Sequence, residues 1–265
     1  MPSLESRSNV LIFSRTIARI TLLEALRSRL VWVAVIAIGV AFGAAQFLIQ
    51  VAMIEVAQIQ VAIMSALLRV IGVFLLAAFC ITSLVREAND KITELFLSQP
   101  AARWEYYLGK IAGCAGVAIA LAAGFSAPLA IFAPIAQVAV WSASFAGELL
   151  IIAAISIFCA VSLTQVTSAF AATAGFYLLA RSISAMQVIA ATPIALEPSW
   201  TDAALKWIIN AIALAMPALD RMTLTDWMLD RPPSATEISG LALQVLIYLL
   251  LIGAATLVDL YRRNF

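Results

Sequence analysis

The sequence predicts an all-α integral membrane protein that crosses the bilayer six times. Three observations carry that reading. Of 265 residues, 64% are hydrophobic and 12% charged, with a mean hydropathy of +1.03, whereas a soluble domain sits near half apolar and a quarter charged. Several apolar runs exceed the roughly 18 residues needed to cross a hydrocarbon core. Runs such as "LLIIAAISIFCAVSL", residues 149–163, lack the alternation of a barrel strand, so helices must satisfy their backbone groups internally.

The spans fall at 30–49, 63–85, 106–133, 145–164, 167–189 and 239–260. Lys and Arg in the flanks orient them. Arg7, Arg15, Arg19, Arg27 and Arg29 precede the first span, and Arg86, Lys91, Arg103 and Lys110 lie between the second and third. Arg262 and Arg263 end the chain, placing eleven of the sixteen basic residues on one side. That side is expected to be the cytoplasm, with both termini inside and residues 190–238 outside, in the bacterial inner (plasma) membrane.

The chain reads as one domain, 1–265, with three appendages to its spans. Residues 1–29 are expected to form a cytoplasmic interfacial helix, because Val10, Phe13, Ile17 and Ile20 share a face opposite Arg15 and Arg19. No cleavage site follows the first apolar run, so this segment does not read as a signal peptide. Residues 190–238 form a periplasmic or extracellular segment. Within it, "LKWIINAIALAMPAL", 205–219, is apolar but short, starts with Lys206 and contains Pro217, which breaks a helix. It reads as an interfacial or re-entrant element, with Trp200, Trp207 and Trp227 suited to the headgroup zone.

Reactive chemistry has few parts here. The chain has no histidine, and Cys80, Cys114 and Cys159 each sit in an apolar run, as small buried hydrophobes do. Neither a metal site nor a catalytic triad can be assembled, so the chain is read as no enzyme and as binding no cofactor or nucleic acid. Arg69 and Arg181 fall within spans two and five, where a charge costs about 3 kcal/mol at mid-membrane. They are expected near the outer span ends, reaching out to the headgroups, with a substrate-path role as the alternative. Glu148 is expected to open span four. "GVAFG", 39–43, and "GKIAG", 109–113, permit close helix approach.

The remaining third appendage is the region 86–103. Arg86 to Lys110 holds eight charged residues in twenty-five positions. Glu87 and Lys91 stand at i, i+4 in the favourable order, with Asp90 and Glu94 near them. Ile92, Leu95 and Phe96 supply an apolar side, and Pro100 stops the helix. The expected product is a short amphipathic helix on the cytoplasmic face, held by two spans.

These residues carry a resemblance. Arg86-Glu87, "TELFLSQP" at 93–100 and "ARWEYYLGK" at 102–110 resemble the signature of ABC-transporter permeases of the exporter (type-2) class. That signature has the form R-E, G-T-L-E-L-L-L-S-x-P, S-R-x-x-x-x-x-G-K. Glu94, Leu95, Leu97, Ser98, Pro100, Arg103, Gly109 and Lys110 match it, while Lys91-Ile92 stands where the family has Gly-Thr. "MPALDR", 216–221, resembles the Pro-containing stretch before the family's last span.

The resemblance implies a permease subunit that couples ATP hydrolysis on a separate ATPase to helix movement. ATP and Mg would bind the ATPase, in two copies, and a second permease copy or paralogue would complete the dimer. The docking residues would be Arg86, Glu87, Asp90, Lys91, Glu94, Leu95, Phe96, Ser98, Pro100 and Arg103. The Gly109-Lys110 pair is followed by Ile111 and lacks the upstream glycine of a phosphate-binding loop. Three other readings stand beside it. The same machine could pass force to a periplasmic partner at 190–238, the chain could be a secondary transporter, or it could anchor a cytoplasmic complex.

Overall fold

The computed structural model describes residues 4–49, 56–90, 103–191, 200–229 and 233–262. Every regular element among them is helical: α1 (Leu4–Arg27), α2 (Leu30–Ile49), α3 (Val56–Asn89), α4 (Arg103–Ser126), α5 (Ile135–Leu163), α6 (Val166–Ala191), α7 (Trp200–Ala215), α8 (Asp226–Leu229) and α9 (Ala235–Arg262). Six of these are long and apolar enough to span a membrane: α2, α3, α4, α5, α6 and α9. The protein is therefore a six-span helical membrane protein.

Local chemistry sets the joints. Ser28 separates α1 from α2, its hydroxyl donating to the Ala25 carbonyl at 2.8 Å and accepting the Leu30 N–H at 3.2 Å. Pro128 sits in the first turn of a 3₁₀ segment, Ala127–Ile131, that finishes α4, and Pro134 caps α5, positions where a missing N–H costs little. Thr164 turns the chain between α5 and α6 in the left-handed region, φ 56°. Ser234 and Glu237 form a reciprocal capping box at α9: the Ser234 N–H donates to the Glu237 carboxylate at 2.8 Å and the Glu237 N–H to the Ser234 hydroxyl at 3.3 Å.

Helix α5 is the axis of the bundle. It packs on α3, α4, α6 and α9, and Phe145, Leu149, Ile151, Ile152 and Ala154 on it are fully buried. By contrast α2 and α9 turn Trp32, Val35, Ile36, Leu246, Leu250 and Leu251 outward, as lipid-facing helices do. Cys80, Cys114 and Cys159 are buried free thiols.

Helix α1 is joined to the bundle through glycines of α4. A Cβ on Gly109 would lie 2.8 Å from the Ile17 side chain and the Ser14 carbonyl; on Gly113, 2.6 Å from Thr21; on Gly116, 2.9 Å from Leu22. Contact advances in the same direction along both helices, so they run side by side in one sense. The buried stripe of α1 is Ile17, Thr21 and Ala25, whereas Ile20 is half exposed. This differs from the expected face, which grouped Ile17 with Ile20; Val10 and Phe13 lie outside the residues whose side chains are described. Of the two small-residue motifs, 109–113 makes an internal contact, and Gly39 and Gly43 meet nothing within 4 Å.

Two other expectations are corrected. Span four starts at Ile135 rather than about 145, because "IAQVAVWSAS" continues the apolar helix backwards. Glu148 consequently lies about 20 Å along α5, near its middle rather than at its start. In the segment before α9, the exposure of α7 goes with the interfacial alternative for 205–219, and the side chains that enter the bundle come from 219–228. Leu219, Met222, Trp227 and Met228 are buried, while Leu205, Trp207 and Leu214 of α7 are exposed. Trp227 is thus a core side chain, not a surface anchor.

Candidate functional site

Two buried polar groups organise the bundle, one at the α3–α4 end and one deeper inside. The first lies where α3 ends and α4 begins. Lys110, one turn beyond Tyr106, is 1% exposed, and its ammonium pairs with the Glu87 carboxylate. It also donates to the Ser83 hydroxyl at 2.8 Å. Tyr106 donates to the other Glu87 oxygen at 2.7 Å, and Ser83 passes the chain on by donating to Glu24 of α1 at 2.7 Å. One hydrogen-bonded chain thus ties α1, α3 and α4. A buried charge persists when it is paired and its remaining valences are satisfied, and Lys110 meets that condition.

The expected docking residues distribute around this knot. Arg86 and Glu87 belong to the last turns of α3 rather than to a separate short helix. Arg86 is exposed, and so is Asp90, which ends the helix. Glu87 is committed to Lys110 and Tyr106. Residues 91–102, and with them Lys91, Glu94, Leu95, Phe96, Ser98 and Pro100, lie outside the described residues, as does the side chain of Arg103. Sequence reasoning missed the internal use of Glu87 and Lys110. The available signal was "GKIAGCAG": a single lysine among small apolar residues has little but a buried partner to neutralise it.

The second group lies about halfway along α5, between α3, α5, α6 and residues 219–223. Glu148 is fully buried. One of its oxygens faces Arg181 of α6 at 3.4 Å, and the other accepts from the Thr223 hydroxyl at 3.0 Å. Arg181 donates to the Leu219 carbonyl at 2.7 Å. Arg69 of α3 donates to the Thr223 carbonyl at 3.2 Å, and the Thr223 N–H donates to Ser144 at 3.2 Å. Arg69 and Arg181 therefore do not reach out toward headgroups. They turn inward and hold the inserted segment by its carbonyls.

Thr223 is the hub. It is fully buried and has φ 54°, a conformation that costs a non-glycine residue about 1 kcal/mol or more. Bonds to Arg69, Ser144 and Glu148 hold it there. Two guanidiniums face one carboxylate, and the backbone carbonyls of 219–223 supply the rest of the negative end of the dipoles. The arrangement is an anchor for the inserted segment; it presents no nucleophile beside a base.

Compared with known proteins, the sequence matches no family model and no curated protein.

Proposed function

We propose that this chain is the transmembrane permease subunit of an ATP-driven transporter of exporter type, working as a pair with a second copy or paralogue. A separate ATPase subunit would bind ATP and Mg and dock on the connection between α3 and α4 from the cytoplasm. The chain would reside in the bacterial inner membrane with both termini inside, α1 at the cytoplasmic side and residues 190–238 outside.

One observation carries the reading. The connection leaves α3 just after Glu87 and enters α4 about two turns before Lys110, and those two residues are paired. Force applied to it would therefore not fold the connection away from the bundle. It would move α3 and α4 together, and α1 with them through Ser83 and Glu24. Rigid-body displacement of packed elements is how small shifts become large ones. The signature residues Glu87, Gly109 and Lys110 acquire physical roles: the ends form the clamp, and Gly109 admits α1.

Because Glu87 serves the clamp, docking would fall to the exposed Arg86 and Asp90 and to the 91–102 connection. Replacing Asp90 and Glu94 by Ala should lower co-purification of the ATPase severalfold with insertion unchanged. Undiminished capture by an inserted variant counts against docking at this place.

A secondary transporter is the second reading, favoured by Glu148, a buried carboxylate of the kind that relays ions in membranes. Weighing against it, both carboxylate oxygens are occupied, by Arg181 and Thr223. Transport that survives nucleotide depletion but stops when the ion gradient is collapsed would favour it.

A further inference from the structure

A groove of about 640 Å³ opens between α4, α5 and α9 and is roofed by Met222 and Trp227 of the inserted segment. Its walls are apolar, including Ile119, Ala143, Leu150 and Val245, with the Ser144 hydroxyl as the lone polar side chain. A second cavity of about 460 Å³ adjoins it, sharing Trp227 and Leu241. That one is polar: Arg221, Thr236, Glu237 and Gln244 line it.

The two cavities run side by side along α9, the polar one on Thr236, Glu237, Gly240 and Gln244 and the apolar one on Ile238, Ala242 and Val245. A polar cavity flanking an apolar trough suits a molecule whose head and chain differ in polarity. Arg221 is exposed and, among the described residues, makes no ion pair, and the Gln244 Nε2 is buried without a hydrogen-bond partner, which is costly unless something supplies one. Glu237 is engaged as the cap of α9.

From this pairing of a polar and an apolar cavity we infer that the combined groove binds a phosphate-bearing acyl amphiphile drawn from the membrane. The chain would lie against Ala143, Leu150 and Val245. The Gln244 amide would donate to an ester carbonyl, and Arg221 would hold the phosphate, which a guanidinium suits in geometry and charge. The size and composition are those of a ligand pocket, mostly apolar with a few placed polar groups. The site needs no ATPase, so it stands or falls apart from the proposed function; if the chain is an exporter, the amphiphile is its candidate cargo.

The test uses the purified full-length protein in detergent and a photoreactive single-chain lysophosphatidylglycerol, with labelled peptides mapped by mass spectrometry. Label is expected on 139–150 of α5 and 238–245 of α9. Ala143→Trp and Ala242→Trp, each at an exposed wall position, should reduce it roughly tenfold, an effect of the size expected when a filled groove excludes the chain. A monoacylglycerol of equal chain length should compete roughly tenfold less well than the unlabelled lysolipid, the difference a lost charged hydrogen bond makes. Arg221→Gln should erase that difference. Even labelling of the lipid-facing surfaces of α2 and α6, label untouched by both tryptophan variants, or equal competition by the monoacylglycerol in the parent protein would overturn the proposal.

Discussion

Lys110 and Glu87 form an ion pair that joins the end of α3 to the start of α4, with the lysine 1% and the glutamate 19% exposed. Removing one partner of such a pair leaves the other charge uncompensated, at a cost of about 3 kcal/mol. Lys110→Met and Glu87→Gln should each lower thermal stability in detergent by that order. The double variant should recover much of the loss, because apolar or neutral replacements no longer strand a charge. Additive losses in a double-mutant cycle would show that the two residues act separately.

The two glycine motifs make opposite predictions. Gly113→Ala places a methyl 2.6 Å from Thr21 and 3.1 Å from the Ala18 carbonyl, so α1 must move, at about 1–3 kcal/mol. Gly39→Ala meets nothing within 4 Å and should be neutral or stabilising by up to about 1 kcal/mol from helix propensity. Melting of the two variants side by side checks the pair. Should Gly39→Ala instead prevent pairing of two copies while leaving the melting point intact, α2 would be marked as the seam between them.

Arg181, Glu148 and Thr223 pin the inserted segment. Arg181→Met and Glu148→Gln should both release it. Met222 is 1% exposed, so a Met222→Cys thiol should react slowly with a maleimide in the parent and at least several times faster in either variant. The three native thiols are buried and give little background. Equal rates in all three proteins would mean that packing alone, through Leu219 and Trp227, retains the segment.

Topology is open to direct labelling. Thr225→Cys and Ser98→Cys are expected to react with a membrane-impermeant maleimide from opposite sides, Thr225→Cys in intact cells and Ser98→Cys only in inverted vesicles. Reaction of both from the same side would place the 86–103 connection and the 216–228 segment on one face and remove the premise of cytoplasmic docking.

Spans are readable in sequence because length and composition decide them; four of the six predicted ranges lie close to the observed helices, while α3 and α5 both start several residues before the predicted starts. What local pattern does not carry is which partner a polar residue finds. Arg69 meets Thr223 across 154 positions and Glu24 meets Ser83 across 59, so the arginines read as headgroup anchors and Glu87 as a docking residue. The buried part of the outer segment is hidden for a related reason. Residues 205–219 are the more apolar stretch, yet Leu219, Met222 and Thr223 are the ones held inside, because Arg69 and Arg181 donate to carbonyls there and hydropathy does not register that.

The central claim is that the connection between α3 and α4 is gripped by a nucleotide-hydrolysing subunit, and isolation of the protein from its native membranes under mild detergent tests it most directly. The account predicts a complex of two permease chains with two ATPase subunits, whose ATP hydrolysis changes when the Glu87–Lys110 clamp is broken. A fully active protein recovered with no nucleotide-hydrolysing companion would contradict it.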